Sequence, residues 1–104
     1  MGKNDFVTFE EAMARDWLNQ QIKIHEMQKA SYVLNGVAAL MTPSDRIHML
    51  NGIVYITELL GLEMKERFRT DVTDYPWEYS FEYSGTVFYQ ISEERLGKYA
   101  ETAE

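Results

Sequence analysis

The sequence predicts an α+β fold that is mostly helical: a long antiparallel helix pair, a two-stranded antiparallel β-hairpin packed on it, and a short C-terminal helix. Three patterns carry this expectation. Apolar residues recur at helical spacing from Phe9 to Met41 and again from Ile47 to Leu60. From Asp74 to Tyr83 the chain alternates strictly, with rings at the odd positions. Ser84-Gly85 then marks a turn before a second extended run, Thr86 to Ile91. At 104 residues the chain is expected to form a single domain, 1–104, and its 45% hydrophobic and 26% charged composition is that of a globular protein.

The first helix has a readable start. Thr8 and Glu11 form a capping box, and Val7 is placed to staple onto Ala12. One apolar row follows through Phe9, Met13, Trp17, Ile24, Met27, Leu34 and Met41, and a second through Ala14, Leu18 and Ile22. A helix over all 33 of these residues would be ~50 Å long, against a radius of gyration of ~13 Å for a globule of this size. A break near Ser31 to Gly36, or an elongated and dimeric molecule, is therefore expected.

Thr42-Pro43-Ser44-Asp45 is a second start signal, with Thr42 as N-cap and Pro43 in the first turn. Ile47, Leu50, Ile53, Val54, Ile56, Leu59 and Leu60 cover most of a helical circumference and predict a central, buried helix. Gly61 stops it, and Leu62 to Arg69 reads as one or two further turns. The echo of Leu34-Asn35-Gly36-Val37 in Leu50-Asn51-Gly52-Ile53 would set Gly36 and Gly52 level in the helix pair and let the backbones approach. A pair of hairpins, or an asparagine pair holding a ligand, are the other readings of that echo.

In the aromatic segment, a three-residue loop of Tyr83, Ser84 and Gly85 would pair Phe81 with Val87, Tyr79 with Tyr89 and Trp77 with Ile91 on one inward face. Glu78, Ser80 and Glu82 would then share the outward face with Thr86, Phe88 and Gln90. The tail from Ser92 to Tyr99 would cap the core through Leu96 and Tyr99.

Charge is regional. The chain has 17 acidic and 10 basic residues, a net charge of -7, and six of the acids lie between Asp71 and Glu94 with no lysine or arginine among them. Residues 1–52 carry six acids and five bases, and residues 53–104 eleven acids and five bases. Direct nucleic-acid binding and anionic membranes are excluded on this ground, because both need clustered positive charge. No apolar run is long enough for a membrane span, and residues 1–5 lack the apolar core of a signal peptide, so a cytoplasmic setting is expected. With no cysteine there is no disulfide and no thiol chemistry.

Chemistry is otherwise thin. His25 and His48 have no metal-ligand spacing, no glycine-rich phosphate loop is present, and Glu10-Glu11 and Glu93-Glu94 sit where first helical turns favour acids. No cofactor, metal or catalytic group is expected, and the chain reads as non-enzymatic. The expected function is a protein-interaction module whose acidic, aromatic-studded hairpin face occupies a basic, nucleic-acid-binding groove on a larger protein. Asp71, Asp74, Glu78, Glu82, Glu93 and Glu94 would supply charge, with Tyr83 and Phe88 as anchors. Small size, acidity and absent catalytic groups are similar to those of phage- or mobile-element inhibitors that mimic DNA, anti-CRISPR proteins among them, as a class and without a shared motif. The first alternative is a helical homo-oligomer with a structural or regulatory role, held as a homodimer through the long helices by Met13, Trp17, Ile24 and Met27. Two weaker ones are a winged-helix regulator using Ile56 to Phe68 with Glu63 to Arg69 as its recognition segment, and a small-ligand or enzymatic pocket lined by Trp77, Tyr79 and Tyr55.

Overall fold

The computed structural model describes residues 8–34 and 46–101. In order along the chain come α1 (Phe9–Leu34), β1 (Arg46–His48), α2 (Ile53–Leu60), β2 (Lys65–Phe68), β3 (Trp77–Tyr83), β4 (Thr86–Ser92) and α3 (Gly97–Glu101). The chain divides into two compact units, Met1–Ile47 and His48–Glu104. The four strands form one sheet in the order β1-β4-β3-β2, antiparallel from β4 to β2 and mixed overall. This corrects the expected architecture: the described residues form one long helix, a four-stranded sheet and two short helices, not a helix pair carrying an isolated hairpin.

In the first unit, α1 begins on the capping box. The Thr8 hydroxyl accepts the Glu11 N–H at 3.0 Å, and the Glu11 carboxylate accepts the Thr8 N–H at 3.2 Å. Ala14 and Leu18 are the buried side of the helix, whereas Phe9, Met13, Ile24, Met27 and Leu34 are exposed. The Val7 staple, the Thr42-to-Asp45 helix start and the Gly36 position lie outside the described residues.

The predicted helix through residues 47–60 is only half there. Arg46, Ile47 and His48 are a strand, and its ladder extends one residue through the Met49 N–H, which donates to the Tyr89 carbonyl at 2.7 Å. Gly52 takes a φ of 91°, a left-handed conformation that a helix interior cannot hold, and the helix starts only after it. Leu50, expected inside, is exposed. Glycine offers no side-chain cap, so the Gln90 side chain supplies one from 37 residues away: its Oε1 accepts the Ile53 N–H at 2.9 Å.

Gly61, at φ 67°, closes α2, and both its N–H and that of Leu62 reach the Thr57 carbonyl. The next element is the strand β2, where helical turns were expected over Leu62 to Arg69. Its register sets Phe68 against Trp77, with ring centroids 4.7 Å apart at 64°. Lys65, Glu66 and Arg67 suit an edge strand, because charged side chains discourage a further strand from adding there. With Glu63 to Arg69 non-helical, the helix-turn-helix outline is gone as well.

The β3–β4 register differs from the expected one. Tyr83 pairs with Thr86, Phe81 with Phe88, Tyr79 with Gln90 and Trp77 with Ser92. The loop is two residues, and both Ser84 (φ 54°) and Gly85 (φ 79°) have positive φ, the signature of a type I′ turn whose twist matches the strands it joins. Gly85→Ala is expected to cost about 1–2 kcal/mol, the strain of a side chain in the left-handed region, read from thermal or urea unfolding.

The slip inverts β4. Phe88, expected in solvent, is fully buried and stacks on Phe81 at 5.2 Å with planes 3° apart. Glu78, also expected in solvent, is 7% exposed. The expected register rested on a two-stranded ribbon with one wet face, in which glutamates beside Val87 and Ile91 would be unfavourable. In the four-stranded sheet Arg67 on β2 lies opposite Glu78 and binds its Oε1 at 3.1 Å, so the carboxylate is neutralised where it stands. The core of this unit is Met49, Ile53, Met64, Tyr79, Phe81 and Phe88, with Thr57 and Gln90 buried and hydrogen-bonded among them.

Candidate functional site

The topology sorts the expected site residues by position. Phe68 pairs with Trp77 and Trp77 with Ser92, so the β2–β3 connection and the segment after β4 leave the sheet at the same end. Asp71, Asp74, Glu93 and Glu94 are therefore brought to that end, and all four are exposed. Glu82 and Tyr83 lie at the opposite, hairpin end, Glu82 exposed and Tyr83 half-buried. Glu78 and Phe88 belong to the interior. The acidic feature is an end of the sheet and not a face.

An open recess of about 440 Å³ lies there, lined by Tyr75, Ile91, Ser92, Glu93, Glu94, Arg95 and Leu96. Tyr75 is its aromatic element. The alternation pattern had placed this ring in the strand, but Pro76 follows it and has no N–H for the ladder, so β3 begins at Trp77. Tyr75 instead takes a φ of 52°, rare for a bulky residue, and is 45% exposed. Its carbonyl accepts from the Arg69 guanidinium, while the Arg69 N–H donates to the Pro76 carbonyl at 2.7 Å. On the other side of the recess the Ser92 hydroxyl donates to the Glu94 carbonyl at 2.6 Å and accepts its N–H at 3.1 Å, fixing the Glu93-Glu94 backbone.

Among the described residues of the lining the cation, Arg95, is already engaged. Arg95 makes two bonds to the Glu66 carboxylate, 2.7 and 3.0 Å, and its guanidinium lies 4.9 Å from the centre of the Trp77 ring. Glu66 also accepts the Tyr79 hydroxyl at 2.8 Å, and that hydroxyl accepts the Leu96 N–H at 2.8 Å. The Arg95 bonds hold the Glu66 carboxyl below its ordinary value, and Glu66 raises Arg95 in return. Burial, the largest cause, pushes the Tyr79 hydroxyl up to about 12, and the neighbouring carboxylate adds to it. The network ties β2, β3 and the segment that leads into α3 together.

No family model, curated protein or solved structure matches this chain.

Among the described residues no cluster of three or more His, Asp or Glu could hold a metal ion. His48 stacks on Tyr89 with centroids 4.9 Å apart. Of the residues read as a pocket lining, Tyr79 is fully buried, Trp77 half-buried and Tyr55 exposed. Among the described residues no helix is long and apolar enough to cross a membrane. Sequence reasoning missed three residues of the acidic end: Tyr75, whose signal was the proline after it, and Glu66 and Arg95, whose partnership spans 29 residues and leaves no local trace.

Proposed function

We propose that the chain is a non-enzymatic protein-interaction module that docks the acidic end of its sheet onto a basic surface of a larger protein. Glu93 and Glu94 in the lining of the Tyr75 recess, with Asp71 and Asp74 in the connection that leaves the sheet at the same end, carry this reading. Carboxylates at a rim steer encounter and set specificity, and an exposed ring beside them gives the contact area that charge alone lacks. Arg95 is neutralised by Glu66, so it does not oppose them. A partner groove that otherwise holds nucleic acid fits this chemistry, and inhibition of that partner in the cytoplasm follows as the role.

The test is affinity capture from a lysate by the wild-type chain and by a variant with Asp71→Asn, Asp74→Asn, Glu93→Gln and Glu94→Gln. All four residues are exposed, so the variant folds normally. The expected result is a captured protein that the variant fails to hold and that elutes from wild type as salt approaches about 1 M, where the Debye length falls to about 3 Å. Equal retention by both chains at low salt would end the proposal.

A further inference from the structure

The first unit carries a second surface, independent of the acidic end. Along α1, Phe9 is 75% exposed, Met13 56%, Trp17 39%, Ile24 48%, Met27 64% and Leu34 85%. Leu18, fully buried, lies well round the helix from Met13 and Ile24 at ~100° of rotation per residue. The helix is thus apolar on two sides, and only one is buried. With ~150–250 Å² for a large side chain, the six exposed ones present on the order of 700 Å². A typical monomer's largest apolar patch is ~300–600 Å², whereas a stable dimer buries ~800 Å² per partner.

The spacing says what shape covers it. From Met13, alternating steps of four and three land on Trp17, Gln20, Ile24, Met27, Ser31 and Leu34. That is the seam of a two-stranded coiled coil, sustained for most of a 26-residue helix ~39 Å long. A seam of that length and period is matched by another helix of the same length and period. Among the described residues α2 has 8 residues and α3 has 5, so neither is long enough. The charge balance also suits self-pairing. Residues 9–34 carry four acids and three bases, so two copies of this helix repel little, unlike the acidic second half of the chain.

We infer that α1 pairs with α1 of a second copy, parallel and in register, through Met13, Trp17, Ile24, Met27 and Leu34. Two seam positions are polar, the large amide Gln20 in mid-run and the small Ser31 near its end; Gln20 is the one with a side chain long enough to reach across. In parallel register it meets Gln20 of the second copy, and the two amides bond to each other; a shifted or reversed pairing sets them against apolar side chains. A polar amide on the seam fixing register in this way is a known device of coiled coils.

Two measurements on the full chain test this. Sedimentation equilibrium at micromolar concentration is expected to give about twice the 12.2 kDa chain mass, falling about twofold in a Met13→Glu, Met27→Glu variant. Both side chains are exposed, so the variant keeps its fold. Because the chain has no cysteine, Gln20→Cys introduces a unique thiol. On oxidation it is expected to link two chains, whereas Arg15→Cys, exposed but off the seam, does not. A single-chain mass for wild type overturns the inference, whether the stripe is then bare or covered by another part of the same chain or by a foreign protein. A dimer in which Gln20→Cys links no better than Arg15→Cys overturns the parallel pairing.

Discussion

Phe88→Ala is expected to destabilise the protein by about 3–5 kcal/mol, the cost of truncating a buried phenylalanine and leaving the space unfilled. With a urea dependence of ~1–3 kcal/mol/M for a small domain, the unfolding midpoint should fall by roughly 2 M. The side chain is fully buried and lies flat against Phe81, so the truncation removes both the burial and the stacked partner. The size of the effect also reports the strand register. Were β4 slipped by one residue, Phe88 would stand in solvent, and the change would fall within about 0.5 kcal/mol of zero. A change that small would show that Tyr83 and Thr86 do not face each other across a two-residue turn.

That turn marks how far the sequence alone reaches. The existence of β3 and β4 is written in the period-two rings from Trp77 to Tyr83 and in Ser84-Gly85, and both are local signals. Their register is not local. It depends on whether a third strand neutralises Glu78, and the residue that does so, Arg67, lies on a strand of four residues that is too short to show a period. In Met64, Lys65, Glu66, Arg67 and Phe68 the two apolar residues stand four apart, so the segment imitates a helical turn. The three-residue β1 is hidden the same way: Ile47 and Met49 are buried either side of exposed His48, but the proline-capped start upstream of them argues for a helix. The capping box at Thr8 and the stop at Gly61 were legible because each is complete within a few residues.

The candidate site divides along the same line. Asp71, Asp74, Glu93 and Glu94 were legible as charge, since an acidic segment without lysine or arginine is visible in composition. Their gathering at one end of the sheet was not, because it follows from β2 and β4 both flanking β3. The outward stripe of α1 illustrates the converse. Its spacing was plain, and the same spacing serves a helix packed in its own core and a helix waiting for another. Exposure separates the two, and it places Ala14 and Leu18 inside and Met13 and Met27 outside.

Tyr79→Phe should cost about 1–3 kcal/mol at neutral pH and, more tellingly, should change how stability depends on alkaline pH. The hydroxyl donates to Glu66 and accepts from the Leu96 N–H, so its removal leaves that N–H without its acceptor and takes one donor from the carboxylate. No volume is lost beyond a single oxygen, so the aromatic packing against Tyr99 at 5.8 Å stays in place. The alkaline limb follows from linkage. Tyr79 ionises near 10 when unfolded and near 12 in the fold, so the unfolded chain releases its proton first. Stability from this group is complete below pH 10 and is lost as pH rises toward 12, at ~1.4 kcal/mol per unit. The variant has no such loss, so its deficit should shrink by about 1.4 kcal/mol between neutral pH and pH 11. Glu66 acts in the opposite sense: its folded value is lowered, so its contribution is present above its unfolded value and lost in acid. Glu66→Gln should therefore flatten the acid limb and leave the alkaline one sloping over a narrower range, because burial, the larger cause of the Tyr79 shift, remains. Urea titrations of wild type and both variants from acid to pH 11 measure this directly. Parallel curves for wild type and Tyr79→Phe above neutrality would mean that the hydroxyl is solvated and that Tyr79 does not bridge Glu66 to the segment that leads into α3.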